Sequence, residues 1–313
     1  MTTPVFEALD DGIFCIDALY TGPGIACCYL VQGGDEWALI ETGTGRSVDN
    51  ILAVTRHLGI DREALRYIVP THVHLDHAGG AGALMQLFPE ARLRVHPRGL
   101  RHLVDPTRLI DSAMGVYGKE LFHKLYGELS PVPEDRTQAL EDGELLTLGP
   151  RTLTVRHTRG HADHHACYYD GQTRSWFTGD MFGVSYPHQR YPSGNFVMPA
   201  TTPTQFDPDR YIASVRGLVE NAPRRMYLTH YGALDLAGDE VELLVSQLSA
   251  YAKIGSQQQQ DLDLAAIESA VMDVTRAHLE QRISIAAAKE ALESLRMDAR
   301  LNAQGIAWWR SRR

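Results

Sequence analysis

The chain has 313 residues, and its 39 acidic side chains outnumber 30 basic ones to give a formal net charge of −9. Phosphate contacts need a concentrated basic surface, so no nucleic-acid partner is expected, and the basic end Arg310-Ser311-Arg312-Arg313 is too short to reverse this. Hydrophobic residues make up 44%, enough for a sizeable core, but no apolar run approaches the ~20 residues that span a bilayer, so no membrane partner is expected.

The first eleven residues have neither a basic start nor an apolar centre, which predicts no signal peptide and a cytoplasmic protein. Cys15, Cys27, Cys28 and Cys167 lack the paired spacing of a structural zinc site and read as small core residues in a reducing compartment. Trp37-Ala38-Leu39-Ile40 reads as a strand running into Glu41-Thr42-Gly43. Val48 to Leu58 and Asp61 to Leu65 read as helix, and Tyr67-Ile68-Val69-Pro70 as a buried strand closed by proline.

Then comes His72-Val73-His74-Leu75-Asp76-His77, followed by Ala78-Gly79-Gly80. Neutral imidazole is the commonest protein ligand for a borderline-soft divalent metal, and three in six residues point to a metal site. In an extended segment residues i and i+2 share a face, so His72 and His74 can reach one ion together. Asp76 and His77 are then free for a second. Gly79 and Gly80 are expected to relax the backbone, placing the motif on a loop between a strand and the helix expected over Ala81 to Phe88. One motif holds too few ligands for two closed sites, so others must come from later in the chain.

Leu93-Arg94-Val95-His96 reads as strand, and Gly99 to Tyr126 as a mostly helical insertion ended by Pro131-Val132-Pro133-Glu134. Its Met114, Tyr117, Leu121, Phe122 and Tyr126 serve either packing or a substrate wall. Three further segments then repeat the pattern of a strand delivering one ligand beside a glycine. They are Leu153-Thr154-Val155 leading to Gly160-His161, Ser175-Trp176-Phe177 leading to Gly179-Asp180, and Met226-Tyr227-Leu228 leading to His230 before Gly232. Phe182 to Thr204 has little periodicity and is a second candidate wall. Residues 238–313 read as a separate helical tail, with apolar stripes over Val241 to Ala252, Leu264 to Leu279 and Ile285 to Leu295. Residues 256–261 form a polar connector, and Trp308 and Trp309 are expected to pack on the main body.

With these motifs in place, the sequence resembles the metallo-β-lactamase superfamily over roughly residues 10 to 235. The matching residues are His72-x-His74-x-Asp76-His77, Gly160-His161, Gly179-Asp180 and Thr229-His230. The resemblance implies an αββα four-layer sandwich of two mixed sheets over residues 1–237, with the helical insertion at 99–135 near the site and a C-terminal helical extension over 238–313. It implies two divalent metal ions: His72, His74 and His161 on one, Asp76, His77 and His230 on the other, and Asp180 bridging. Zinc is the expected metal, with iron or manganese as alternatives. Two positions depart from the family pattern. Glu41 stands where aspartate is usual, at a position that supports the metal loop, and Ala162-Asp163-His164-His165 replaces the usual segment after the third histidine.

The resemblance further implies a metallo-hydrolase of the glyoxalase II and lactonase-like kind, in which a hydroxide held between the two ions attacks a small ester, thioester or lactone. Asp76 would be the catalytic carboxylate that orients the nucleophile and shuttles its proton. Tyr186, His188 and Tyr231, near ligands in sequence, are the candidates for substrate contact and for protonating the leaving group. The ribonuclease branch fits the acidic balance poorly, and the basic segment that binds glutathione in glyoxalase II has no counterpart at the C-terminal end. Two alternatives belong to other classes: a persulfide dioxygenase using one iron on His72, His161 and Asp180, and a regulatory protein whose tail presents a partner surface. The expected partner is a small-molecule substrate, and a homodimer is compatible with the tail.

Overall fold

Strand formation begins with a meander whose residues alternate between two apolar environments. The computed structural model describes residues 3–201, 204–236, 238–257 and 263–313, together with all of their side chains except those of residues 116 and 117. Strands β1 (Phe6–Ala8), β2 (Ile13–Asp17), β3 (Cys27–Gly33) and β4 (Glu36–Ile40) pair antiparallel in order. Helix α1 (Val48–His57) crosses over to β5 (Leu65–Val69), which lies parallel to β4. The short α2 (Leu75–Ala78) and α3 (Ala81–Leu87) lead to β6 (Arg92–Val95). Three helices, α4 (Pro97–Val104), α5 (Thr107–Tyr117) and α6 (Lys119–Tyr126), precede β7 (Thr137–Ala139), which closes a mixed seven-stranded sheet.

The second sheet has six strands in the order β15-β14-β11-β10-β9-β8. It is built from β8 (Leu145–Leu148), β9 (Arg151–Thr158), β10 (His165–Asp170) and β11 (Ser175–Val184). A small hairpin of β12 (Arg190–Tyr191) and β13 (Gly194–Asn195) and then α7 (Pro208–Val219) follow. The sheet is completed by β14 (Arg225–His230), parallel to β11, and β15 (Gly232–Asp235). Four helices end the chain: α8 (Glu240–Ser256), α9 (Leu264–Leu279), α10 (Ile285–Ser294) and α11 (Arg296–Ser311).

Period-two alternation explains how the layers stack. On β3, Cys27, Tyr29 and Val31 face an inner core shared with Tyr168, Phe177 and Tyr227 of the second sheet. The intervening Cys28 and Leu30 face an outer core with Ile51 of α1 and Leu84 of α3. The other sheet does the same: Cys167, Met226 and Leu228 meet Tyr211 of α7, Leu248 of α8, Ile267 of α9 and Ile306 of α11. The result is an αββα sandwich of two mixed sheets with helices on both outer faces. All four cysteines are buried and unpaired, Cys27 and Cys28 on opposite faces. Among the described residues, no helix is long and apolar enough to cross a membrane.

Several sequence expectations shift in detail. Arg62–Ala64 is only a 3-10 turn, because Leu65 is fully buried and already pairs with Trp37 in the sheet. Gly79 and Gly80 have ordinary negative φ rather than relaxed backbone. Their lack of a Cβ lets α2 lie against the Thr42–Thr44 backbone. Within Phe182 to Thr204, β11 continues to Val184, and Phe182, Phe196, Val197 and Met198 are fully buried in the outer core. Those four residues therefore pack rather than line an open wall. In the insertion, Phe122 and Tyr126 bury against Leu75 of the histidine motif, with Met114 packed beside them, while Leu121 is 43% exposed. The Tyr117 side chain and residues 258–261 of the polar connector lie outside the described residues. Trp309 packs on the tail core near Phe206, and the Arg312 guanidinium lies over Trp308.

Candidate metal centre

The site forms where strands of both sheets end. Parallel β4 and β5 finish at Ile40 and Val69 and deliver Glu41 and the histidine motif. The turn between β9 and β10 delivers His161, β11 delivers Asp180, and β14 ends on His230. The chain bends at Thr71 and His72, and extended His74 then caps the start of α2, so Asp76 and His77 sit in one helical turn. That turn separates the directions of the two ligand pairs within six residues.

Two groups of donors result. His72 Nε2 lies 2.7 Å from His74 Nδ1, and His161 Nε2 lies 3.3 Å from each of them. In the second group, His230 Nε2 lies 3.5 Å from Asp76 Oδ2, and His77 Nε2 lies 3.8 Å from that same oxygen. Asp180 joins the groups with different oxygens. Its Oδ2 is 3.3 Å from His161 Nε2, while its Oδ1 is 3.3 Å from His77 Nε2 and 3.5 Å from His230 Nε2. The seven residues expected to be ligands are thus gathered in two adjoining clusters, and all but His74 and Asp76 are buried.

The ring nitrogens facing outward orient the rings. His77 Nδ1 donates to Glu41 Oε1 at 2.9 Å, His161 Nδ1 to the Ala200 carbonyl at 2.7 Å and His230 Nδ1 to the Ile25 carbonyl at 2.9 Å. Each bond turns the ring's Nε2 toward the cluster. Glu41, the family departure, is the hub beneath the site: it also accepts from the Thr71 amide and hydroxyl and from the Thr229 hydroxyl. Of the two extra histidines, His165 is fully buried, with Nδ1 2.7 Å from Thr158 Oγ1 and Nε2 accepting from the Asp180 amide at 3.3 Å. His164 packs near His74 and His72.

Electrostatics divides the groups. Burial and then neighbouring imidazoles push His72 and His74 well below the usual histidine value, and burial also lowers His161. Burial works against charging His77 too, but Asp180, Glu41 and Asp76 overcome it and raise its value. His230 is raised to about 9, with Asp180 and Asp76 outweighing burial. Burial would raise Asp76 and Asp180, yet nearby histidines hold both below the usual carboxylate range.

The donor set fits a divalent cation. Unprotonated imidazole nitrogens converge on one point, which is repulsive without a cation between them. His77 Nε2 and Asp180 Oδ1 are buried without a hydrogen-bond partner.

The candidate substrate residues are placed differently. Tyr186 is buried, and its hydroxyl donates to Asp298 Oδ1 at 3.0 Å. Burial raises its pKa first, then Asp298, Asp180 and Asp76, so the phenol lies within the field of the site. His188 is exposed and meets Ser294 Oγ at 3.2 Å. The Tyr231 hydroxyl faces Asp17 at 3.5 Å. Sequence reasoning missed Asp298, which sits in a tail whose only signal was helical periodicity, and Thr71, which looks like any residue after a proline.

The sequence model of the metallo-beta-lactamase superfamily matches residues 21–230. A metallo-beta-lactamase fold-containing protein of Sulfurisphaera tokodaii is 27% identical over 213 residues, covering 67% of this chain and 74% of that one. An acyl-coenzyme A thioesterase of Homo sapiens is 32% identical over 190 residues, 56% of this chain, and the match spans 65% of that enzyme, just under two thirds. Among solved structures, an archaeal metallo-beta-lactamase superfamily protein from Sulfolobus tokodaii matches with TM-score 0.60 and 24% identity, covering 92% of this chain and 100% of that one. A metallo-beta-lactamase family protein from Thermus thermophilus matches with TM-score 0.59 and 22% identity, covering 93% and 95%. Fold, motif spacing and site geometry agree with these similarities, and the chain belongs to the metallo-beta-lactamase superfamily.

Proposed function

We propose that this protein is a di-metal hydrolase that cleaves an acyl thioester. The observation that carries the reading is Asp180, which turns one carboxylate oxygen to the His72-His74-His161 group and the other to the Asp76-His77-His230 group. His72, His74 and His161 would hold one ion, and Asp76, His77 and His230 the other, with Asp180 between. Divalent ions held there would supply Lewis acidity, to activate a water molecule and to polarise a carbonyl oxygen.

The chain's own groups supply the rest. Asp76, kept ionised by His77 and His230 despite burial, presents a carboxylate that would orient an attacking water and take its proton. Glu41, Ala200 and Ile25 hold the His77, His161 and His230 rings with Nε2 turned toward the site. The leaving group favours a thioester over an ester: a thiolate, with a pKa of about 8.5, departs with little proton assistance, whereas an alkoxide needs an acid. The similarity to an acyl-coenzyme A thioesterase supports this choice.

The test is metal analysis of protein purified without added metal or chelator, followed by assay of a short-chain acyl thioester. The expected result is two equivalents of divalent metal per chain and hydrolysis lost in His74→Ala and Asp76→Asn. A single iron, or thioesterase activity that survives complete metal removal, overturns the proposal.

A further inference from the structure

A cavity of about 430 Å³ opens beside the metal-ligand cluster, lined in part by Arg98, Arg101, His102, Asp163 and His164. The His164 ring lies 5.5 Å from the His74 ring and 6.1 Å from the His72 ring, so one imidazole separates this cavity from the first ligand group. Helix α4 brings the arginines there by close packing. A Cβ on Gly99 would lie 2.7 Å from Val73 Cγ1, inside the histidine motif, and 3.9 Å from His164 Cβ. Arg98 and Arg101 follow one turn apart on the same helix face.

The charge of this cavity runs against that of the whole molecule. Two guanidiniums face one lining carboxylate, and Asp163 is itself shared, 3.1 Å from Arg98 Nη1 and 3.8 Å from Arg210 Nη1. The surrounding imidazoles are held neutral, so the positive charge comes from the arginines alone. Burial and then His161 and His102 push His164 down to about 4, and burial followed by Arg101 and Arg108 lowers His102. Burial and neighbours that include Arg98 and Arg159 push His96 to about 3. His164 Nδ1 is buried without a hydrogen-bond partner at this wall. A net positive cavity in a chain of charge −9 is a local feature, and it adjoins the site where the scissile bond must lie.

We propose that this cavity binds the anionic head group, phosphate or carboxylate, of the thiol that carries the acyl group, while the thioester lies at the metal centre. The proposal rests on the thioesterase reading and narrows its substrates to charged carriers. Guanidinium groups suit either oxyanion, since their planar donors match both geometries. The phosphates of coenzyme A and the carboxylates of glutathione are the two sources of that chemistry.

The experiment compares acetyl-coenzyme A, S-acetylglutathione and the uncharged S-acetyl-N-acetylcysteamine on wild type, Arg98→Ala/Arg101→Ala and Asp163→Asn. Arg98 is 55% exposed, so its loss leaves the core intact. One charged carrier is expected to show a KM about ten-fold or more below that of the uncharged thioester. That ratio collapses in the double arginine variant and widens in Asp163→Asn, and the preferred carrier tells phosphate from carboxylate. Equal KM values in wild type, or a preference that survives loss of both arginines, overturns the proposal. Calorimetric binding of free coenzyme A and free glutathione to the chelator-treated protein separates the two readings. If no thioester is hydrolysed, arginine-dependent binding still supports the cavity while the thioesterase reading falls; binding that ignores the arginines, or no binding, overturns the cavity's role.

Discussion

Tyr186 donates its hydroxyl proton to Asp298, 3.0 Å away, and so fastens the segment after Asp180 to the first turn of α11. Burial pushes Asp298 up to about 6; the Tyr186 hydrogen bond and His230 pull it down, and Asp180 pushes it further up. A carboxyl raised in the folded state binds its proton more tightly there than in the unfolded chain. Its contribution to stability is therefore complete below the ordinary aspartate value near 4 and is lost as pH rises through about 6. Asp298→Asn keeps an acceptor for Tyr186 and cannot ionise. The stability of the variant relative to wild type should rise between pH 4 and pH 7, by on the order of 1–3 kcal/mol. Thermal melts across that range check this, and a difference independent of pH would refute it.

Glu41 supports the second ligand group through four hydrogen bonds. Oε1 takes the Thr71 hydroxyl at 2.5 Å, His77 Nδ1 at 2.9 Å and the Thr229 hydroxyl at 3.0 Å, while Oε2 takes the Thr71 amide at 3.0 Å. Its carboxylate is buried, so every bond is made in a medium that does not replace it with water. In Glu41→Gln, the carboxamide presents N–H groups where only acceptors serve. The expected outcome is a loss of metal affinity of about 10–100-fold, read by chelator competition, and destabilisation of about 2–4 kcal/mol. Unchanged affinity would mean that Thr71 and Thr229 alone orient the His77 loop.

Gly179 is required by two independent constraints. Its φ of +51° lies in the left-handed region, and a Cβ would meet the Thr71 hydroxyl and, at 2.6 Å, His165 Nε2. Both neighbours hold the site: Thr71 bonds Glu41, and His165 bonds the Asp180 amide. Gly179→Ala should therefore cost about 2–4 kcal/mol and displace Asp180, weakening both ligand groups together. Measured metal stoichiometry should fall more than in Gly171→Ala, where a Cβ meets nothing.

The residues that gather at the site were legible because strand-end glycines and histidine spacing are local signals. The His72 to His77 run, His161, Asp180 and His230 each stand beside a strand the sequence already marks, and the fold follows from the same strands. Contacts across the fold were not legible. Asp298 meets Tyr186 over 112 positions of sequence, and nothing near Asp298 distinguishes it from any other helix-start aspartate. Phe182 and Phe196 looked like a loop wall because their segment lacks periodicity, yet they are buried by a helical tail whose docking no local pattern encodes. The arginines of α4 gain meaning only once Gly99 is seen against Val73.

That tail is the last element to argue from. A boundary at residue 237 separates helices from strands, but the apolar core ignores it: Leu244, Leu248, Tyr251, Ile267, Val271 and Ile306 are buried in one cluster with Met181, Phe182, Phe196, Phe206 and Met226. Polar ties reinforce it, since the Asn302 amide donates to the Pro199 carbonyl at 2.8 Å and Gln247 donates to the Val197 carbonyl at 2.7 Å. Each fully buried Leu, Ile or Phe contributes about 1.5–3 kcal/mol, so removing α8–α11 exposes more apolar surface than a marginally stable domain tolerates. A chain cut after residue 237 should be recovered aggregated or bind a hydrophobic dye, and co-expression of residues 238–313 should restore solubility. A truncated chain with cooperative thermal unfolding and wild-type metal content would instead make the tail an independent addition.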